Sequence, residues 1–412
     1  MSIGSFFGRK SNKSKGVILI DIASSSVGAG IAVMTEGGKP RIVFEAREQF
    51  PIQARLNNRR LLPLVNEALN KIIASLSHKG ISKLIDEDGR KIKIDKIVCM
   101  FSSPWHVSTT KTLHFKFEKP FTISPNFISD IISYESKNFL ASVNKENHGI
   151  GFEGDNKADY SQEEVLQTFI NGYSVKYPID KRANEFEMVL FMSVFPHQVV
   201  KSLEKVCGKY FPDTHLEFSS GTGVYFHVLR ELFPAEDSFI IAHISGETTD
   251  ISVIKKNIIT ETISFPLGRN FIVRRLLSEV SGITPAVALS MIRVNDEGGV
   301  TPKLSEKLGK ILIEAENDWV KLFAESLSDF SKNFFLPIKV YVLSGDDSSK
   351  TFSDIINQKK LKVRGDDTPT LVSQNIDTSL FSSVVEVGSA GSKDLFVATG
   401  AYYSKSKYFS NF

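Results

Sequence analysis

Two clusters of small and hydroxyl-bearing residues could do chemistry on a phosphate. In the first, an apolar run from Leu19 to Ile22, interrupted by Asp21, opens into Ala23, Ser24, Ser25 and Ser26 and ends at Gly28. The second lies past the middle of the chain and runs Ile241, Ala242, His243, Ile244, Ser245, Gly246, Glu247, Thr248, Thr249, Asp250. Small residues let the backbone approach a phosphate closely, while turn N–H groups and hydroxyls donate to its oxygens. Both clusters return to an apolar run, Gly30 to Met34 and Ile251 to Ile254, so each predicts a strand, a tight turn and a second strand. A repeated unit of this kind implies two similar halves that close on a ligand from opposite sides.

A third segment, Tyr341-Val342-Leu343-Ser344-Gly345-Asp346-Asp347, is an apolar strand that ends in a small-residue turn. These segments, in this order, resemble the two phosphate motifs and the adenosine motif of the actin-like ATPase superfamily, with Gly400 and Ala401 falling where that superfamily has its second connecting helix. The resemblance implies an α/β chain with a duplicated actin-like (ribonuclease H-like) nucleotide-binding fold and the cofactors ATP and Mg²⁺. It implies catalytic positions at Asp21, His243 and Asp250, phosphate contacts from Ser24, Ser25, Ser26, Gly246, Thr248 and Thr249, and nucleoside contacts from Gly345 and Asp346. Asp21 would approach the metal through water, since Mg²⁺ keeps several waters and takes few protein carboxylates. His243 departs from the pattern, because the superfamily has an aspartate there that helps place Mg²⁺ and the attacking water. A neutral imidazole brings no negative charge and an imidazolium repels the metal, so the resemblance implies a slow ATPase at most.

The elements that must position these residues follow from periodicity. A strand around Arg41–Glu45 precedes a helix over about residues 57–76, whose stripe includes Leu61, Val65, Leu69 and Ile72, with Gly80 as its stop. A buried strand, Lys96 to Phe101, ends at Ser102, Ser103 and Pro104. Residues 106–194 break the rhythm: a strand at 112–117, a helix over 125–139, a polar loop over 144–164, then strands near 168–175 and 187–194. Here Thr122-Ile123-Ser124, Ile170 to Val175 with Pro178, and Phe186-Glu187-Met188 are similar to the small inserted domain of the FtsA/PilM type, the bacterial cell-division and type IV pilus assembly proteins. Leu267-Gly268-Arg269-Asn270 resembles the P-x-G-G-N segment of the same proteins, with Arg269 in the place of a glycine.

This narrower resemblance implies subdomain 1A over 1–105 plus 195–234, an inserted α+β (SHS2/1C-like) domain over 106–194, and a second actin-like domain (2A/2B) over 235–412. It also implies a scaffold that orders protein partners, either an FtsZ-like tubulin homologue or pilus inner-membrane proteins, with self-association open. The competing implications are a sugar or metabolite kinase, for which no acceptor-side base is apparent, and a chaperone-type ATPase, for which no residues are left over.

Composition agrees with a chain of two or more domains: 412 residues, 42% of them hydrophobic. The net charge of only +3 gives no field for nucleic acid. No run approaches the roughly 20 apolar residues that span a bilayer. Cys99 and Cys207 sit in apolar periodic segments and are expected as core thiols of a cytosolic protein. Ile3, Phe6 and Phe7, followed by Arg9, Lys10, Lys13 and Lys15, make residues 1–15 a candidate for weak peripheral contact with the inner face of the cytoplasmic membrane. No His/Cys spacing suggests a structural metal.

Overall fold

A computed structural model of the protein describes residues 14–53, 60–86, 89–145, 152, 157–296, 302–332, 335–345, 348–361, 370–387 and 393–409. The proposed nucleoside contact Asp346 and the apolar-basic leader up to residue 13 lie outside the described residues. The strands are β1 (Lys15–Ile22), β2 (Ser26–Met34), β3 (Arg41–Gln49), β4 (Ile94–Phe101), β5 (Val107–Thr122), β6 (Ala158–Ile170), β7 (Tyr173–Ser174), β8 (Arg182–Pro196), β9 (His215–Ser220), β10 (Phe239–Ile244), β11 (Thr249–Lys255), β12 (Ile258–Phe265), β13 (Lys339–Ser344), β14 (Val372–Ile376) and β15 (Glu386–Val387). The helices are α1 (Leu61–Ser75), α2 (Pro125–Lys145), α3 (His197–Tyr210), α4 (Gly221–Leu232), α5 (Arg269–Glu279), α6 (Pro285–Asp296), α7 (Pro302–Ser331), α8 (Ser348–Gln358), α9 (Thr378–Phe381) and α10 (Leu395–Phe409).

Two of the sheets share one plan. The order β3-β2-β1-β4-β9 in the first repeats as β12-β11-β10-β13-β14 in the second. In each, an antiparallel meander is extended from its first strand by two parallel strands. The hairpins match in register as well, with Asp21 opposite Gly28 in one and His243 opposite Asp250 in the other. The duplication expected from the repeated hairpin is therefore present strand for strand.

Strand alternation decides which residues meet. Ile18, Ile20 and Ile22 pack with α1 and α3, through Val65, Leu69, Val199 and Leu203 among others. Val17 and Leu19 face the other way, into a layer shared with Phe239, Ile241 and Tyr341 of the second sheet and with Val224 of α4 and Val397 of α10. Ile240, Ala242 and Ile244 turn from that layer toward Trp319 and Phe323 of α7 and Phe352 of α8. Asp21 continues the register of Val17 and Leu19, and His243 that of Phe239 and Ile241. Both side chains thus enter the layer between the two sheets. Burial on both faces explains why Val17–Ile22 and Phe239–Ile244 are apolar except at Asp21 and His243.

The third sheet, in the order β5-β8-β6-β7, carries α2. Here α2 runs on to Lys145, past the expected end at 139, the strand expected near 168–175 is split by a turn into the end of β6 and β7, and the expected polar loop is shorter. Residues 158–164, expected in a polar loop, form the first half of β6 and pair with β8 from Pro196 to Phe191. Their polar side chains alternate on a partly exposed sheet, a pattern whose apolar half is too sparse to announce a strand.

The C-terminal segment departs from the expected division at 235. β15 pairs with β3, and α10 lies against the first sheet, where a Cβ on Gly30 would sit 2.4 Å from Val397 Cγ1. The chain returns because α10 must cover the apolar face that β1 and β2 turn toward the second sheet. Cys99 and Cys207 are both buried and free, as expected of core thiols.

Candidate functional site

The turns after β1 and β10 meet in the layer just described. Ser24 Oγ lies 2.6 Å from Ser245 Oγ and accepts a 2.9 Å hydrogen bond from the Glu247 backbone N–H. Ser245 Oγ is also 2.9 Å from Thr248 Oγ1, and Thr248 donates to the Ser103 carbonyl at 3.2 Å. Gly246 is pressed against the first turn, where a Cβ would come 2.1 Å from Ser25 Cβ. Ser24 and Thr248, which the superfamily resemblance aims at phosphate oxygens, are here joined through the Ser245 hydroxyl.

Asp21 is 1% exposed and receives Nη2 of Arg47 from β3 at 2.8 Å. The same guanidinium donates to Asp394 at 2.8 and 2.9 Å and to Ser26 Oγ at 2.8 Å. Gly28 makes room for it, since a Cβ there would stand 2.2 Å from Arg47 Nη2. Burial disfavours the Arg47 charge, but Asp394 and Asp21 outweigh burial and hold the guanidinium charged more firmly than usual. Burial pushes the Asp21 carboxyl up, against the pull of Arg47.

A second arginine crosses the cleft. Arg269, where the resemblance has a glycine, reaches Gln49 Oε1 at 3.3 Å and Ser25 Oγ at 3.5 Å. Its Nη1 lies close enough to Gly345 that a Cβ there would be 3.0 Å away. Arg269 therefore spans the gap between the first phosphate turn and the adenosine-type turn.

His243 is sandwiched. Its ring centroid is 4.8 Å from that of Tyr225 and 5.3 Å from that of Phe396, and Nδ1 is 3.2 Å from Asp250 Oδ2. Asp250 also accepts from Ser264 at 2.6 Å. Burial pushes its carboxyl up, but His243, Ser103 and Ser264 outweigh this and hold it below the ordinary value. Glu247, with no role in the sequence reading, is buried and paired with Arg274 at 2.6 Å and Asn270 at 2.8 Å.

The structure brings Asp21, Ser24, Ser25, Ser26, His243, Gly246, Thr248, Asp250 and Gly345 together, and it removes one expected contact. Thr249 is fully buried on the far face of β11, donating to the Leu267 carbonyl at 2.6 Å and accepting from Trp319 Nε1 at 3.0 Å. Adjacent strand residues point to opposite faces, so Thr248 and Thr249 cannot both face the cleft.

No family model and no curated protein matches the sequence. Among solved structures, a chain of a PilM–PilN type IV pilus biogenesis complex matches 94% of this chain and 98% of its own, at 10% identity and a TM-score of 0.60. The chain has the actin-like fold. Weaker likenesses extend to an actin-like ATPase-fold protein of Bacteroides thetaiotaomicron (8% identity, 97% of this chain and 99% of that one, TM-score 0.44) and to the ethanolamine utilization protein EutJ of Carboxydothermus hydrogenoformans (11%, 95% and 89%, 0.42).

Within this actin-like fold, the side chains do not fit a Mg²⁺-bound nucleotide. The carboxylate that would face the metal is bridged by a guanidinium to Asp394. The cavity beside Ser25, Ser26, Arg47 and Gly345 holds about 280 Å³, at the lower edge of the roughly 300–1,000 Å³ of small-molecule sites. An apolar cavity of about 560 Å³, walled by Phe50, Ile272, Leu289, Leu312 and Phe352, lies beyond Arg269.

The second turn also packs closely on Gly268. A Cβ there would meet the Ser245 carbonyl oxygen at 2.4 Å and the Gly246 backbone at 2.6 Å. Backbone cannot yield as a flexible side chain does, so Gly268→Ala should destabilise the protein by about 1–3 kcal/mol in urea unfolding. An unchanged midpoint would show that Gly268 does not pack against the second turn.

Proposed function

We propose that this chain is an actin-fold protein scaffold of the PilM kind, which orders partners in type IV pilus assembly while its own side chains hold its cleft shut. The observation that carries this reading is the direct bonding of the two phosphate-type turns, with Arg47 between Asp21 and Asp394. A guanidinium between two carboxylates supplies the positive charge that a metal would bring to such a site. On this reading ATP and Mg²⁺ take no part, and the roles that the resemblance gives to Asp21, His243, Asp250 and the cleft hydroxyls become structural. The domain division proposed is 14–105 with 195–234 and 386–409, then 106–194 as the SHS2/1C-like insert, then 235–385.

Calorimetric titration with Mg-ATP tests the closed cleft, and no saturable heat is expected at millimolar nucleotide. Saturable binding that Arg47→Ala or Asp21→Ala weakens would return the site to an ATPase-type role. Native cross-linking followed by mass spectrometry tests the partner. Pilus inner-membrane proteins are expected; an FtsZ-like tubulin homologue in their place would move the chain to cell division.

The proposed location is the inner membrane face. No helix among the described residues is long and apolar enough to cross a membrane, so contact would rest on the leader. β1 begins at Lys15, which also pairs with Asp95 at 3.3 Å. The informative truncation is therefore 1–13 rather than 1–15. It should lower binding to anionic vesicles, and the difference should shrink as salt rises. Equal vesicle binding by both forms would leave the leader without this role.

A further inference from the structure

The third sheet ends in an aromatic and basic tip. β5 leaves the rest of the protein at Val107 and β8 returns to it at Pro196, so the pairing of Thr122 with Arg182 marks the far end of the sheet. At about 3.3 Å per residue, the 15 residues of β8 put that end roughly 45 Å from the point of return. Phe121, Tyr173, Tyr177 and Ile179 gather there, 37%, 78%, 61% and 46% exposed. Single apolar residues on a surface need no explanation, but a group of them at one end does.

The backbone holds these side chains outward. Asn171 and Gly172 turn β6 into β7 with φ of 50° and 83°, and Asn171 Oδ1 accepts from the backbone N–H groups of Asn184 and Glu185, both at 2.9 Å. Beyond β7, the Val175 N–H donates to the Thr168 carbonyl at 2.9 Å and the Asp180 N–H to the Ile123 carbonyl at 2.8 Å. Tyr177 and Ile179 therefore stand on a loop bonded at both ends. Phe121 is fixed by stacking on Phe117, with ring centroids 4.7 Å apart.

Charge selects the partner. Residues 116–122 and 173–182 carry Lys116, Lys119, Lys176, Lys181 and Arg182 against Glu118 and Asp180. Glu185 takes Lys116 at 3.0 Å, and the remaining four cations outnumber the two carboxylates. Lys176 Nζ lies 5.4 Å from the Tyr177 ring centroid, so cation and ring are presented together. Tyrosine and lysine are residues of the bilayer interface, where ring or stem enters the headgroup layer while hydroxyl or ammonium stays in water. An acidic peptide would pair with the cations alone; a layer of anionic headgroups takes the cations and the rings at once.

We propose that the tip of the inserted domain is a peripheral membrane contact that binds anionic lipid. It shares the location proposed above but not the leader, and the two contacts are tested separately.

The test places a reporter in the tip of the full chain. Trp105 and Trp319 are 1% and 2% exposed, so the indole introduced by Tyr177→Trp dominates any change in emission. With vesicles of phosphatidylcholine and phosphatidylglycerol its emission should move to the blue, and it should be quenched when the acyl chains are brominated. Pure phosphatidylcholine should produce neither effect. Adding Lys176→Gln and Lys181→Gln should weaken binding by about 25-fold, about fivefold for each basic residue near an anionic surface. Phe335→Trp, at a fully described and highly exposed position of the second domain, should give no shift. A shift at position 177 that survives removal of residues 1–13 supports the tip independently of the leader. The proposal is overturned if the reporter at 177 keeps its emission with anionic vesicles, if pure phosphatidylcholine acts as well, or if the two lysine substitutions leave affinity unchanged. It is equally overturned if the Phe335→Trp reporter shifts as much, which would mean adhesion of the whole surface.

Discussion

Arg47→Met should destabilise the protein by about 3–5 kcal/mol, the cost of breaking a buried ion pair by removing one partner. The substitution keeps the length and the apolar stem of the side chain but leaves two carboxylates without their cation. Asp21 is 1% exposed at its side chain and Asp394 9%, so water cannot take over the role. The loss should be read from urea unfolding followed by circular dichroism at neutral pH. Adding Asp21→Asn and Asp394→Asn to Arg47→Met should recover much of it, because the uncompensated charge is then gone. Arg47→Ala offers a complementary measurement. With the guanidinium removed, two carboxylates face each other and can be bridged by a hard, oxygen-preferring cation. Mg²⁺ should then raise the unfolding midpoint of Arg47→Ala while leaving that of the wild type unchanged. A wild-type midpoint that climbs with Mg²⁺, or an Arg47→Met midpoint close to the wild type, would remove the internal-cation account.

The sequence announces the two hairpins because their strands are buried on both faces, which concentrates apolar residues around a few polar positions and the polar turns. It also announces strand β13, for the same reason. What closes the cleft is not local. Arg47 lies on a strand whose other side chains are mostly half-buried and unremarkable in pattern, and its bond to Asp394 joins residues 347 positions apart. Arg269 was visible as a departure from the glycine of the P-x-G-G-N segment. Its consequence, a long cationic side chain laid from Ser25 toward Gly345, depends on how the halves pack. Two signals were available in the residues themselves. Period-two alternation already separates Thr248 from Thr249. Ser245 and Glu247 flank Gly246 with side chains that need space and partners, where a phosphate cradle needs close backbone approach. Together with His243, they indicate turns shaped to bond to protein.

The His106 imidazole makes a second quantitative expectation, because a buried neutral histidine couples stability to pH. In the folded protein it titrates at about 4, against an ordinary value of 6.5, with burial as the main cause; Asp250 pulls it up and His243 pushes it down. A folded-state value below the unfolded one means that the unfolded chain binds the proton more readily. The stabilisation is therefore complete above 6.5 and is lost as pH falls toward 4. At about 1.4 kcal/mol per unit, lowering the pH from 7 to 4.5 should cost about 2–3 kcal/mol through this group. Glu164 titrates in a lower window. Burial pushes its carboxyl up, but His227 and Lys407 hold it at about 2, below the ordinary 4.5, so its contribution is lost only as pH falls through that lower range. Comparing wild type with His106→Phe at pH 7 and 4.5 isolates the histidine, since the other titrating groups are common to both. The phenylalanine variant should lose less stability over that interval, by about 2–3 kcal/mol. Parallel losses in the two proteins would show that His106 binds its proton as readily in the folded state as in the unfolded one, and that burial does not hold it neutral.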